Sequence, residues 1–168
     1  MEQIIKRLRA KTYNLPWVKE GWSRYFQALA FTQTPWTPLS KPLSECKVAL
    51  VTTGGVHLQT DLPFDMIDPQ GDPSFRKISS QAQKEDLRIT HDYYDHQDAE
   101  RDINLVLPMD ILRKCQQEGV IGACAEWYYG FMGHIEGPHL KTLIQVTARD
   151  VGFQLKQQAV DAALLVPA

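Results

Sequence analysis

The stretch KVALVTTGG, residues 47–55, decides the fold. Val48, Ala49, Leu50 and Val51 form an unbroken apolar run that ends at Gly54 and Gly55. A run of this kind predicts a strand buried on both faces, as in a parallel sheet, closed by a tight turn. INLVLP (residues 103–108) and VIGACA (residues 120–125) predict two more buried strands, and DAALLVP (residues 161–167) a fourth. Met109, Leu112 and Cys115 recur at helical spacing, which predicts a helix over 109–118 with Gly119 as its C′ residue. Leu140, Leu143, Ile144, Thr147, Val151 and Leu155 predict a second helix within 139–159. Strand–helix–strand order of this sort predicts an α/β fold: a mainly parallel sheet of about four strands with flanking helices, Rossmann- or flavodoxin-like.

Upstream of this core the composition changes. Trp17, Trp22, Tyr25, Phe26 and Leu29 fall on one stripe and predict an amphipathic helix from Trp17 to Leu29. TPWTPLSKPLSE follows, with prolines at 35, 38 and 42, and predicts an extended arm. The expected organisation is an N-terminal helical and proline-rich arm over 1–45 and an α/β domain over 46–168. No repeat or low-complexity segment interrupts it.

Whole-chain properties narrow the function. The 168 residues are 43% hydrophobic and 23% charged, with a net charge of −2. That balance fits a globular domain and argues against a nucleic-acid partner. Lys6, Arg7, Arg9 and Lys11 read as a solvated helix face. No apolar run approaches the ~20 residues of a membrane span, and the start lacks the order of a signal peptide. A cytoplasmic chain is expected. Cys46, Cys115 and Cys124 are odd in number and without C-x-x-C spacing, so they are expected as thiols.

Candidate chemistry lies in three places. In TTGGVHL, Thr52, Thr53, Gly54 and Gly55 could offer backbone N–H groups to an anionic group, with His57 as a proton carrier. A bare turn is the competing reading, since neither dinucleotide nor P-loop spacing is met. In HDYYDHQDAERDIN, residues 91–104, His91, Asp92, Asp95, His96 and Asp98 carry donor atoms suited to zinc or iron. Neither H-x-H nor H-E-x-x-H accompanies them. A metal set of His57, His91, Asp95 and His96 is therefore the alternative to a hydrogen-bonded loop of Asx turns that orients His91 and His96. In GACAEWYYGFMGHIEGPH, residues 122–139, an aromatic pocket with Tyr129 and His134 competes with plain core. Tyr128 and Tyr129 face opposite sides if the segment is extended. Arg76, in GDPSFR, could clamp a substrate carboxylate or pair internally. The expected site gathers the Thr52–His57 turn, the His91–His96 loop with Asp92, and the Tyr128–His134 segment at the carboxyl ends of strands.

VALVTTGGVHL, PFD, GDPSFR, EDLRITHDYYDH, DAERDINLVLP, GVIGACAEWYYGFMGHI and DAALLVP, in this order, resemble the selenoprotein B component of the glycine, sarcosine, betaine and D-proline reductases. The match runs from about Cys46 to Pro167. The resemblance implies reductive chemistry, in which a selenol or thiol attacks a carbon next to an amine and splits the C–N bond. It also implies a small amino-acid-like substrate, a partner subunit with a pyruvoyl group that activates the amine, and a thioredoxin-type dithiol donor. A selenocysteine or cysteine redox group is expected after the last strand, whereas this sequence has no cysteine beyond Cys124. The chain is thus expected either to be a shortened member, inactive alone, or to take its nucleophile from a second polypeptide. Cys124, beside the aromatic run, is its own candidate. The alternatives are a non-catalytic binding or assembly module on the same fold, self-associating or not, and a metal-dependent hydrolase built on the HDYYDH loop.

Overall fold

The computed structural model describes residue 12, residues 15–25 and residues 37–168. The chain divides into two units: one reaches Pro38 and includes Asp92–Asp95, and the other comprises Leu39–His91 and His96–Ala168. In the first unit, helix α1 spans Pro16–Tyr25 and opens on a proline, whose fixed φ suits a first turn. Trp17 on it is exposed. The rest of the predicted Trp17–Leu29 helix, the basic start Lys6–Lys11, and Phe31 and Trp36 lie outside the described residues. Among the described residues no helix is long and apolar enough to cross a membrane.

The second unit is built around β1, Lys47–Thr52. Val48, Ala49 and Leu50 are buried, and burial of a Leu or Val side chain contributes roughly 1.5–3 kcal/mol. β2 (Val56–Leu58) leaves the glycine turn and pairs antiparallel with β4 (Leu87–Ile89) in a small second sheet. β3 is Phe75–Ser79, β5 Ala123–Cys124, β6 Trp127–Phe131 and β7 Ala162–Val166. β7 lies parallel to β1 from Val48↔Ala162 to Thr52↔Val166. On the other side of β1, β5 pairs with its start (Lys47↔Ala123) and β6 with its end (Val51↔Tyr129), both parallel. β3 then pairs antiparallel with β6, Phe75↔Phe131 through Ser79↔Trp127.

The α/β class holds, but the main sheet is mixed. The expectation of a mainly parallel, Rossmann- or flavodoxin-like sheet is corrected by antiparallel β3 and the separate β2–β4 pair. INLVLP is not a strand either. Ile103–Leu105 is a 3-10 turn, fixed when the Asp102 carboxylate accepts the Asn104 N–H at 3.0 Å. Val106 and Leu107 are buried by that turn instead of by pairing, and an apolar run alone cannot separate the two outcomes.

Helices complete the unit. α2 is the short Gln97–Arg101 segment and α3 spans Met109–Gln117. α3 ends as predicted, with Gly119 at φ +72°. The Gly119 N–H reaches the Gln116 carbonyl, and the Val120 N–H reaches that of Cys115, the two bonds of a Schellman cap. The helix predicted within 139–159 runs as α4 (Gly137–Thr142), a π turn (Leu143–Thr147) and α5 (Ala148–Gln157). Its Val151 packs against Tyr129 and Phe131, with Val51, Phe75, Trp127, Leu143 and Leu155 around them.

Candidate functional site

Three strands of the sheet end at one rim: β1 at Thr52, β6 at Phe131 and β7 at Val166. The loop after β1 is locked from several sides. The Thr52 hydroxyl accepts the Gly54 N–H at 3.0 Å, and the Gly55 N–H donates to the Phe131 carbonyl at 2.9 Å. The Thr53 N–H donates to Val166 O at 3.1 Å, and the Ala168 N–H donates to the Thr53 hydroxyl at 3.1 Å. The end of β7 is thereby stitched to the glycine turn.

Close backbone approach explains the glycines here. Gly55 has φ +68°, and a Cβ on it would strike Thr90 O and stand 3.0 Å from His91 Cβ. Gly133, just past β6, has φ +92°, and a Cβ there would meet Thr53 O at 2.5 Å and His91 Nε2 at 3.3 Å. The turn, His91 and the Gly133 loop therefore occupy one place. His91 is almost fully buried.

His57, on β2, is also buried. Its Nδ1 lies 2.7 Å from Leu58 O and its Nε2 2.8 Å from the Thr90 hydroxyl. A carbonyl only accepts, so Nδ1 carries the hydrogen. Both ring nitrogens are engaged, and Phe64 closes the ring edge at 6.0 Å between centroids.

His134 follows Gly133 and places Nε2 3.0 Å from Pro69 O. Gly71 bridges Ile135 and the Glu136 N–H reaches Gln70 O at 2.8 Å, so residues 68–71 are zipped onto residues 134–139. His139 Nε2 closes that zip on Asp68 Oδ2 at 2.8 Å. The hydrogen bond from His139, helped by the Gln70 N–H, holds the Asp68 carboxyl below the usual carboxylate range. Neither residue of this pair stands out in the sequence. Only the topology brings position 68 to position 139.

Other residues singled out from the sequence sit elsewhere or are occupied. Arg76 donates to Leu62 O at 2.7 Å, Pro63 O at 3.1 Å and the Ser74 hydroxyl at 2.7 Å. It also pairs with Asp72 at 3.6 Å and lies 4.4 Å from the Phe64 ring centre. Tyr129 is core, its hydroxyl bonded to Gln154 at 3.2 Å and Gln158 at 3.1 Å. Cys124 pairs with Val48, at the opposite end of β1 from the rim. Four strand residues separate the two levels, ~13 Å.

His96 opens α2 and pairs with Glu100 at 2.9 Å. Asp92 and Asp95 belong to the first unit, whereas His57, His91 and His96 belong to the second. Among the described residues no group of three His, Cys, Asp or Glu side chains is arranged to hold a metal ion. Arg101 pairs with Asp98 at 3.1 Å, on exposed side chains.

Fold and rim together define an α/β domain whose glycine turns and histidines collect at the carboxyl ends of parallel strands, where such sheets bind their ligands. The sequence profile of the family described as glycine/sarcosine/betaine reductase selenoprotein B matches residues 19–168. The chain belongs to that family. It is 41% identical to the D-proline reductase subunit gamma of Acetoanaerobium sticklandii over 130 residues, covering 77% of this chain and 52% of that protein. It is 28% identical to the glycine reductase complex component B subunit gamma of Symbiobacterium thermophilum over 178 residues, covering 98% of this chain and 36% of that protein. A third relative, the sarcosine reductase complex component B subunit beta of Peptoclostridium acidaminophilum, is 31% identical over 110 residues, covering 61% of this chain and 24% of that protein. The chain thus spans about half the length of the first and less of the others. No solved structure matches.

Proposed function

We propose that this chain builds the working rim of a component B of a glycine-, sarcosine-, betaine- or D-proline-type reductase. There a small amine or amino acid undergoes reductive C–N cleavage with a dithiol as electron donor. The observation that carries this reading is the bond from the Ala168 N–H to the Thr53 hydroxyl. Family resemblance implies a selenocysteine or cysteine redox group directly after the closing strand. A group in that position, whichever polypeptide supplies it, would arrive beside Thr53, the glycine turn and His91.

In this reading the Thr52–Gly55 turn positions an anionic group through its backbone. His91 moves the proton that the leaving amine requires. It is preferred to His57 for its place at the rim, against Gly55 and Gly133. His134 and the Asp68–His139 pair shape the far side of the rim. Arg76, with Asp72 and Ser74, holds the loop that carries Asp68. Cys124, at the other end of the sheet, is given no part in the reaction.

Partner reductase subunits belong to the proposal, since the relatives are named as subunits of reductases or reductase complexes; a thioredoxin-type donor enters it only as what the family resemblance implies. An assembly role is favoured by one further observation: among the described residues β7 pairs on one side only, with β1, and it exposes Leu164 and Leu165.

The test is dithiol-dependent release of amine or ring-opened product from D-proline, glycine, sarcosine and betaine, with the chain supplied alongside its partner subunits. The expected result is release from at least one substrate, lowered at least ~10-fold by His91→Ala and unchanged by Cys124→Ser. No release from any of the four, with complex formation verified, overturns the reading.

A further inference from the structure

Thr90 ties a second histidine to the rim. It directly follows β4, and its N–H donates to the Gly55 carbonyl at 2.9 Å. The residue therefore stands against the glycine turn, next in the chain to His91. Its hydroxyl lies 2.8 Å from His57 Nε2. The other ring nitrogen, Nδ1, is 2.7 Å from Leu58 O, so it carries the hydrogen of the neutral ring. Nε2 is then the bare nitrogen, and the Thr90 hydroxyl is the donor to it. The oxygen of Thr90 keeps lone pairs that can accept a hydrogen from outside. Among the described residues nothing else bonds to this hydroxyl. Thr90 is half-buried, whereas His57 behind it is enclosed.

A hydroxyl bonded to an imidazole that a third group orients can pass a proton inward. Here the Leu58 carbonyl does the orienting, and Phe64 packs edge-on to the ring. The charged groups on the elements around β2 are engaged elsewhere. Arg88, opposite His57 on β4, donates to Leu87 O at 2.7 Å, Glu85 O at 3.1 Å and Gln59. On β3, Arg76 is held by Leu62 O and Pro63 O, and Lys77 lies 4.4 Å from the Trp127 ring centre. Asp61 accepts the Leu58 N–H at 3.0 Å, and Asp65 accepts the Ile67 N–H at 2.7 Å. His91 turns to Gly133. The bonds of His57 itself go to Leu58 O and Thr90, so Thr90 is its link to the rim.

We propose that Thr90 is a catalytic residue of this rim: its oxygen takes the proton of the attacking thiol while its own hydrogen passes to His57, which acts through it. The proposal rests on the reductase reading and names the base that reading lacks. In the step the S–H bond breaks and its proton forms an O–H bond on Thr90. The original Thr90 proton moves to His57 Nε2. Sulfur is left as a thiolate, and His57 as an imidazolium with Nδ1–H still on Leu58 O. The thiolate attacks the carbon next to the amine. A C–S bond forms, the C–N bond breaks, and its electron pair leaves on nitrogen, which takes a proton from His91. The donor dithiol completes the reduction. One of its thiolates attacks that sulfur, an S–S bond forms as the C–S bond breaks, and the carbon keeps the electron pair and takes up a proton.

The experiment follows dithiothreitol-dependent product release from D-proline, glycine, sarcosine and betaine by the chain assembled with its partner subunits. Wild type, Thr90→Val and Thr90→Ser are compared across neutral and alkaline pH. At pH ~7, Thr90→Val, which keeps the shape and removes the hydroxyl, is expected to lower kcat at least ~10-fold. Thr90→Ser is expected to restore most of it. Above the ordinary thiol pKa of ~8.5 the attacking group ionises unaided, so the gap between wild type and Thr90→Val is expected to close. The effect of pH on His91 is common to both proteins and cancels in their ratio. A purely structural role for Thr90 would leave the gap constant. A folded Thr90→Val protein as active as wild type at neutral pH, or a gap that does not narrow with pH, overturns the proposal and leaves the reductase reading standing. No release by wild type overturns both. If Thr90→Val does not fold, nitrogen-15 NMR of the His57 ring in wild type decides. A neutral ring with its hydrogen on Nδ1 supports the relay, and one with its hydrogen on Nε2 overturns it.

Discussion

The Ala168 N–H donates to the Thr53 hydroxyl at 3.1 Å, joining residues 115 positions apart in the chain. With Thr53 N–H on Val166 O, it makes the exit of β7 and the turn after β1 a single structure. Thr53→Val keeps the shape and removes the acceptor. A hydrogen bond of this kind contributes about 1 kcal/mol. Amide hydrogen exchange at residue 168 should quicken roughly fivefold, while exchange in β1 stays unchanged.

Gly133 tests the crowding at the rim. Its φ of +92° and the Thr53 carbonyl 2.5 Å from a would-be Cβ leave no room for a side chain. Gly133→Ala should cost more than ~2 kcal/mol in urea unfolding. Gly119→Ala has a comparable φ but nothing within 4 Å, so it should cost only the left-handed backbone strain of about 1–2 kcal/mol.

Ala159 offers the opposite change. It ends α5 with φ +54°, and its neighbours complete a Schellman cap: Ala159 N–H to Lys156 O at 2.9 Å and Val160 N–H to Leu155 O at 3.0 Å. An alanine held in this conformation is strained, whereas a glycine is not. Ala159→Gly should stabilise the protein by about 1 kcal/mol, read as a higher urea midpoint with an unchanged slope.

The Asp68–His139 pair sets a pH dependence. The folded Asp68 carboxyl is held below its ordinary value of 3.8, chiefly by His139. A depressed carboxyl contributes stability above the unfolded value and loses it as pH falls through the folded one. Wild type should therefore exceed Asp68→Asn in stability at pH 5, where the carboxyl is ionised in both the folded and the unfolded chain. The margin should close as pH drops below 4. Thermal melts of both proteins across that range give the comparison.

Particular residues show what the sequence could and could not reveal. β1, β7 and the long helix were legible because each repeats one pattern over many residues: the Val48–Val51 run, AALLV, and apolar positions from Leu140 to Leu155. Gly119 was legible because only a left-handed residue suits that helix end. β2 and β4 are three residues each, too short to show alternation. β3 carries Arg76 and Lys77 and reads as a polar turn until Phe75 is seen opposite Phe131. The 103–108 run misleads because Asp102 and Asn104 bend it, a local hydrogen-bond choice that hydrophobicity does not encode. At the rim, Gly54 and Gly55 after a buried strand point to close approach. The meeting of Gly133 with His91, and of Asp68 with His139, depends on where β6 and the 63–72 loop end, which is a property of topology.

The central claim is that the glycine turn, His91 and the Gly133 loop form one rim. A nuclear Overhauser spectrum of the folded chain tests it most directly. With His91 Nε2 3.3 Å from the Cβ direction of Gly133, the account predicts clear cross-peaks between the His91 ring protons and the Gly133 α-protons. A fully assigned spectrum that lacks those peaks, and shows the His91 ring touching a different part of the sheet, would contradict it.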